Sequence, residues 1–178
     1  GIFVDDVVPV KNYDYCFQSD EDWYFIEKAG YKNQLSIIGG GHCALALSNL
    51  MAQMDFYIRV YDERNNLKTI EENSSAHEKH IITGYEELKN LIREGNDHYV
   101  VVMTFGYRTD DIAIRALVEK RFKYLGLLGS QSKVQKMFDE YEKEGLSKEW
   151  LQQIHSPIGL AIKSQTPEEI AVSIAAEI

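Results

Sequence analysis

A glycine-rich turn between an apolar run and an alanine- and leucine-rich segment is the first feature of the sequence that could do chemistry. Residues 35–50 read LSIIGGGHCALALSNL, which predicts a strand, a tight turn and a helix. Gly39, Gly41 and Ala44 fit the G-x-G-x-x-G/A pattern, in which the second glycine lets a pyrophosphate approach the backbone. Free N–H groups and the positive dipole end at the start of that helix favour an anion. The turn is therefore a predicted phosphate site.

The next strand ends in an acidic residue at a distance that fits the same pattern. Residues 56–61 (FYIRVY) are β-branched and aromatic, and Asp62 follows them. Asp62 lies 21 positions after Gly41, close to the roughly 20 at which an acidic residue meets an adenosine ribose. As a ribose ligand, Asp62 would favour NAD-like groups and repel a 2′-phosphate. The alternative is a glycine turn that joins a strand to a helix without any ligand.

Strands and helices alternate along the rest of the chain. Further strands are predicted at residues 80–83, 99–105 and 124–128, and helices at residues 85–94, 109–120 and 130–144. The second of these strands (YVVVMTF) is apolar throughout, which is typical of a central strand buried on both faces. The alternation predicts an α/β fold: a three-layer, doubly wound parallel sheet of Rossmann-like type, in the order 3-2-1-4-5.

Polar residues follow two of these strands, at the edge where open α/β sheets bind ligands. Thr104 lies near the end of the central strand, and Gly129 and Ser130 follow the strand at residues 124–128. Their hydroxyl groups are candidate ligand contacts. Ordinary strand-end or helix-cap hydroxyls account for Thr104 and Ser130 equally well.

Capping residues mark the ends of several predicted helices. Thr109 or Asp110 is the predicted cap of the helix after the central strand, and Ser147 that of a helix through residue 153. Thr166 and Glu169 form a capping box around a proline at the first turn of the last helix. Apolar residues cover more than one face of that helix, which predicts burial between the sheet and another element, such as the second copy in a homodimer.

The amino-terminal part has a different composition. Residues 1–10 read as a strand, and residues 11–33 are rich in aromatic and acidic side chains, with Ser19 or Asp20 as the predicted cap of a short helix. We divide the chain into an amino-terminal remnant or insertion at residues 1–33, packed on the sheet, and a Rossmann-like domain at residues 34–178.

Composition excludes several classes of partner. The net charge of −9 and the lack of a lysine-rich cluster argue against nucleic acid and anionic membranes. No apolar run approaches the roughly 18 residues of a membrane span, so we expect a cytoplasmic protein. Cys16 and Cys43 form no metal-ligand pattern, which predicts buried free thiols. His77 and His80 lack a third ligand nearby, and no metal site is predicted.

Several stretches together resemble the carboxyl-terminal Rossmann domain of the XdhC/CoxI family, the xanthine dehydrogenase accessory factors. They read IFVDDVVP, IIGGGHCALAL, VYDER, YLGLLGSQSK, HSPIGL and QTPEEIAVSIAAEI. The resemblance implies a chaperone that binds the molybdenum cofactor (molybdopterin), supports its sulfuration and inserts it into a xanthine dehydrogenase-type molybdenum hydroxylase. It implies no catalytic residue.

The resemblance also extends the set of candidate site residues. It adds Arg64 to the acidic strand end and His42 to the glycine loop. Where relatives commonly have a Thr-His-Asp type run after the central strand, this chain has Phe105 in the middle position, so an imidazole role there is not expected. The candidate cofactor-binding residues are Gly39, Gly40, Gly41, His42, Asp62, Arg64, Thr104, Gly129 and Ser130.

Two other functions stay open. The first is an NAD-dependent oxidoreductase, against which stands the lack of a clear acid–base pair beside the glycine loop. His42, Tyr107, Arg108 and His155 are only isolated candidates. The second is a nucleotide-sensing module without chemistry.

Overall fold

The computed structural model describes residues 13–19, 21–27 and 30–178, which belong to two units, Gly1–Tyr31 and Lys32–Ile178. In the first unit, β1 (Tyr13–Ser19) pairs antiparallel with β2 (Asp22–Glu27). The predicted helix capped by Ser19 or Asp20 is therefore wrong, because these aromatic-rich residues favour strands. Ser19 ends β1, whereas Asp20 and the strand-like run at residues 1–10 lie outside the described residues.

A six-stranded parallel sheet organises the second unit. Its strands are β3 (Asn33–Ile38), β4 (Phe56–Asp62), β5 (Glu78–Ile81), β6 (Gly95–Val102), β7 (Phe122–Leu127) and β8 (Ile154–His155). They lie in the order β5-β4-β3-β6-β7-β8, so the chain winds outwards from β3 in both directions. The predicted order of five strands is confirmed, and β8 is an addition. Two residues are too short for any periodicity, so the sequence predicts no strand there.

Helices cover both faces of the sheet and give the predicted three layers. They are α1 (His42–Met51), α2 (Lys68–Glu71), α3 (Leu88–Leu91), α4 (Tyr107–Ala116), α5 (Gln131–Lys143), α6 (Lys148–Leu151) and α7 (Pro167–Glu177). One buried cluster joins the sheet to α4 and α5, with Ile114 and Met137 fully buried. The other joins the opposite face to α1 and α7, with Leu47 and Ile174 fully buried.

The boundaries of several elements differ from the prediction. The central strand β6 ends at Val102, and Phe105, predicted to be its last residue, is 84% exposed. The third strand of the doubly wound series, β5, begins at Glu78, two residues before the predicted start. At β6, the apolar run continues past the last hydrogen bond of the sheet. At β5, the strand begins in polar residues. Hydrophobicity alone indicates neither boundary.

The helix caps were predicted with mixed success. Ser130 caps α5 and Ser147 caps α6 by accepting N–H groups of the first turn, and the capping box of α7 is complete. Neither Thr109 nor Asp110 caps α4, because Gly106 occupies the N-cap and both side chains lie inside the first turn. In α7, Val172 is half exposed, so the predicted burial of more than one face holds only in part.

Among the residues that the structure describes, none of the helices is both long and apolar enough to cross a membrane.

Candidate functional site

The first two glycines of the turn are required by close packing around the backbone. Gly39 has a φ of +104°, and a Cβ there would overlap the carbonyl oxygen of Met103. Its N–H donates to the Tyr61 carbonyl at 2.8 Å, which ties the turn to β4. At Gly40 a Cβ would overlap the side chain of Ile70 from α2. Gly39 therefore excludes larger residues on structural grounds alone, whereas a side chain at Gly40 would require the end of the Ile70 side chain to move.

Gly40 is also held by two hydrogen bonds that fix its peptide planes. Its N–H donates to Oδ2 of Asp62 at 2.7 Å, and its carbonyl accepts the hydroxyl of Thr69 at 2.5 Å. One bond comes from the end of β4 and the other from α2. The turn is thus positioned by the neighbouring strand and by the short helix α2.

Gly41 differs from its two neighbours because it faces open space. It is the N-cap of α1, and a Cβ built on it would have no heavy atom within 4 Å. Within the described part of the chain, no side chain caps this helix and no acidic residue lies in its first turn. The first intrahelical bond runs from Leu45 N–H to the Gly41 carbonyl, at 3.1 Å. The N–H groups of the first turn of α1, at residues 42–44, therefore have no helical acceptor and can bind an anion.

A cavity of about 640 Å³ opens beside this turn, at the carboxyl edge of the sheet. It contains four of the predicted site residues, Gly41, His42, Arg64 and Thr104. It is not lined by Gly39, Gly40 or Asp62, which lie behind the residues that line it. Gly129 and Ser130 do not line it either, although Leu128, which precedes them, does. Ser130 instead caps α5, the alternative that the sequence had left open.

Asp62, the predicted ribose ligand, is enclosed by neighbouring groups of the protein. The residue exposes 0% of its surface, and its two oxygens accept four hydrogen bonds. Gly40 N–H binds Oδ2, the Arg64 backbone N–H binds Oδ1, and the Arg64 guanidinium binds both oxygens at 2.7–2.8 Å. Burial alone would raise the pKa of Asp62, but the hydrogen bonds and charge of Arg64 and the Gly40 N–H lower it below its ordinary value. The carboxylate is thus ionised and fully occupied.

A second buried carboxylate, that of Asp110 in α4, lies close to the end of β6. Asp110 is 1% exposed, and its Oδ1 accepts the backbone N–H and the hydroxyl of Thr104 at 3.0 and 2.5 Å. The ammonium of Lys133, from α5, contacts Oδ2 at 2.5 Å. This network fixes Thr104 against α4 and α5. Sequence reasoning missed Asp110 and Lys133 as partners, because their pairing across 23 positions leaves no local signal.

Further cavity residues were also missed. Lys68 and Thr69 lie in a polar stretch without periodicity, and Phe105 lies beyond the last strand residue. Cys43 lines the cavity and is partly exposed, which corrects its predicted burial. Burial of the sulfur and the charge of Glu168 raise the pKa of the Cys43 thiol, so the thiol is protonated at neutral pH.

Of the isolated acid–base candidates, the cavity contains His42 alone. The Tyr107 hydroxyl donates to Glu140 at 2.6 Å, and burial together with that carboxylate raises the pKa of Tyr107 to about 12. His155 stacks on Tyr124 with ring centroids 4.4 Å apart and borders a different depression. Within the described residues, the cavity therefore lacks a paired general acid and base.

The strand order, the glycine turn and the cavity at the carboxyl edge define a doubly wound domain of the Rossmann type. Residues 35–178 match the XdhC Rossmann domain. The chain belongs to the XdhC family.

Individual relatives agree with this assignment. Over 86% of its length, the chain is 32% identical to the uncharacterized protein YqeB of Escherichia coli and 32% identical to a probable xanthine dehydrogenase subunit from Bacillus subtilis. A solved xanthine dehydrogenase from Bacillus halodurans superposes with a TM-score of 0.70, at 27% identity over 87% of this chain. The chain spans 28% and 44% of the two curated relatives and 43% of the solved chain.

Proposed function

We propose that this protein is an accessory factor that binds the molybdenum cofactor, supports its sulfuration and delivers it to a molybdenum hydroxylase of the xanthine dehydrogenase type. The glycine turn at residues 39–41 and the free N–H groups at the start of α1 form what we call the phosphate cradle. The observation that carries the proposal is this cradle in a large cavity without a paired acid and base among the described residues, in a chain of the XdhC family. A carrier needs affinity and release, whereas an enzyme also needs groups that move protons or form bonds.

The cavity fits the organic part of such a cofactor. Its volume of about 640 Å³ lies within the range of small-molecule sites, roughly 300–1,000 Å³. The open space at Gly41 and the free N–H groups at the start of α1 suit a phosphate. The described residues contain no cluster of three or more ligating side chains for a bare metal ion. Bound cofactor would supply the molybdenum centre that the client enzyme uses.

The roles of the chain's own residues follow from their positions. The N–H groups after Gly41 would bind the phosphate, and Met103, Leu128 and Phe105 would exclude water from the ring system. Gly40, Thr69 and Asp62 would keep the cradle in one conformation, since their hydrogen bonds fix both of its sides.

The role can be tested by deleting the coding sequence in a host that also makes a molybdenum hydroxylase. The hydroxylase is expected to be produced and assembled, but to be inactive because its molybdenum centre is missing or lacks the terminal sulfur. The control is the same strain complemented with the wild-type coding sequence. Full hydroxylase activity in the deletion strain would refute the proposed function.

Turnover by the protein itself is tested separately. Purified protein is expected to show no dehydrogenase activity with nicotinamide cofactors. A measurable activity would favour the oxidoreductase alternative instead.

A further inference from the structure

One side-chain pair at the end of β4 determines what the cavity can bind beyond the phosphate cradle. In Rossmann domains, a free carboxylate at this position accepts the hydroxyl groups of a ribose. Here the two oxygens of Asp62 already accept four hydrogen bonds, and a carboxylate offers about four acceptor sites. The residue is fully buried and does not line the cavity. It therefore has neither the surface nor the capacity for a ribose.

Arg64 takes the place that the carboxylate would occupy. Its guanidinium donates one N–H from Nε and one from Nη2 to Asp62, whereas an arginine carries five such donors. The side chain is 38% exposed and lines the cavity. Among the described residues, Nη1 has no hydrogen-bond partner. Directional donors therefore remain at the cavity wall, held in place by the bond to Asp62.

Two features lie next to the guanidinium of Arg64 at the cavity wall: an exposed aromatic ring and an ion pair. Phe105 exposes 84% of its surface, and its ring centroid lies 5.9 Å from the guanidinium carbon of Arg64. Lys68, at the start of α2, also lines the cavity. The ion pair between Lys68 and Glu72, at 3.3 Å, is exposed on both sides, so it restrains the lysine only weakly. Because Glu72 lines the cavity as well, this pair adds no net charge, and the ring of Phe105 is the neighbour that favours a cation at this position.

We propose that Arg64 is a specificity-determining residue, which makes the cavity select a ligand with a second anionic group, of phosphate monoester type, in place of a ribose diol. This inference goes beyond the proposed function, because molybdopterin carries a single phosphate and the second anion would belong to a ligand of nucleoside bisphosphate type. It reverses the preference that Asp62 suggests in the sequence, where an acidic residue predicts repulsion of a 2′-phosphate. The ligand would then have one anion at the start of α1 and another beside Arg64.

The inference can be tested with adenosine 2′,5′-bisphosphate and adenosine 5′-monophosphate, which differ in one phosphate. Binding of each to the purified chain is measured by calorimetry at low ionic strength, because salt screens exposed charges. The bisphosphate is expected to bind about 10-fold more tightly or better, as a charge-assisted hydrogen bond predicts. Arg64→Gln should abolish this preference, and the released Asp62 should favour the monophosphate.

Two further variants make the result interpretable. Arg121→Gln removes the same charge from an exposed residue just before β7, at the opposite edge of the sheet, and should leave the preference unchanged. Arg64→Gln leaves a buried carboxylate without its cation and can destabilise the fold. The double variant Asp62→Asn with Arg64→Gln removes both charges and keeps an acceptor for Gly40 N–H. It should fold, bind the monophosphate as the wild type does, and show no preference for the bisphosphate.

Equal affinities, tighter binding of the monophosphate, or no binding of either nucleotide at millimolar concentration would overturn the inference. An unchanged preference in the double variant would overturn it as well. None of these outcomes alters hydroxylase activity in the deletion strain, so the accessory role succeeds or fails independently.

Discussion

Two buried carboxylates flank the cavity, and they are neutralised in different ways. Asp62, at the end of β4, is 0% exposed and is paired with Arg64, two residues further along the same segment. Asp110, in α4, is 1% exposed and is paired with Lys133 from α5. The first pair closes within one loop, whereas the second joins two helices and, through Thr104, the end of β6. The comparison shows that the carboxyl end of β4 is held by residues close in the chain, whereas that of β6 is held by tertiary contacts.

The chemistry of the two cations differs as well. The guanidinium of Arg64 contacts both oxygens of Asp62 as a fork, and 38% of its side chain is exposed towards the cavity. The ammonium of Lys133 is a point charge on one oxygen of Asp110, and 25% of its side chain is exposed. Water can therefore replace the cation more easily at Asp62 than at Asp110.

The largest expected effect is the loss of the long-range cation. Lys133→Met should lower the free energy of unfolding by about 3–5 kcal/mol, because Asp110 would stay buried without a cation. Urea unfolding measures this change. Lys143→Met, at the exposed end of the same helix, is the control and should stay within about 0.5 kcal/mol of the wild type. Similar losses in both lysine variants would mean that the pair with Asp110 is unimportant.

Loss of the local cation should be less costly. Arg64→Met is expected to lower the free energy of unfolding by about 2 kcal/mol, since Arg64 lines the cavity and water can enter the space that its guanidinium leaves. Adding Asp62→Asn should recover part of that loss. A cost for Arg64→Met that exceeds the cost of Lys133→Met would contradict the contrast between the two pairs.

Acid should reveal the Asp62 pair directly. The pKa of Asp62 is lowered in the folded state, so its stabilisation is fully present above the unfolded value of about 3.9 and is lost as pH falls through the folded value. The difference in unfolding free energy between the wild type and Asp62→Asn should therefore shrink from about pH 6 to about pH 3. A difference that stays constant over this interval would show that the pKa of Asp62 is not lowered.

The smallest effect concerns the helix that carries Lys133. Ser130 caps α5 by accepting the N–H of Lys133, so Ser130→Ala should cost about 1 kcal/mol of stability. Gln131→Ala, one residue further on, is the control, because it shortens an exposed side chain in the same turn and leaves the Ser130 hydroxyl in place. Denaturant midpoints that coincide for the two variants would argue that the cap does not support the Asp110 pair.

The same contrast explains what could be predicted from the sequence. The turn at Gly39 and Gly41 and the cap at Ser130 depend on residues close together in the chain, and local patterns record them. The doubly wound order follows from the alternation of strands and helices. These features cover most of the second unit, including the cradle.

What could not be predicted depends on distant partners. The pairing of Asp110 with Lys133 needs the packing of α4 against α5, and the clamp of Thr69 on Gly40 needs α2 to lie over the turn. Arg64 was identified through the family resemblance, yet its closure of Asp62 depends on side-chain geometry. The sequence thus predicts Asp62 close to the glycine turn, whereas its pairing with Arg64 is visible only in the structure.

We propose above that the cradle at Gly41 serves a client hydroxylase. The most direct measurement is the activity and molybdenum content of that hydroxylase in a deletion strain complemented with Gly41→Val. A Cβ at Gly41 meets no protein atom within 4 Å, so the variant is expected to fold and accumulate, while its branched side chain fills the phosphate position. We predict that hydroxylase activity in the strain with Gly41→Val is as low as in the uncomplemented strain. Wild-type activity with the Gly41→Val protein present in normal amounts would contradict it.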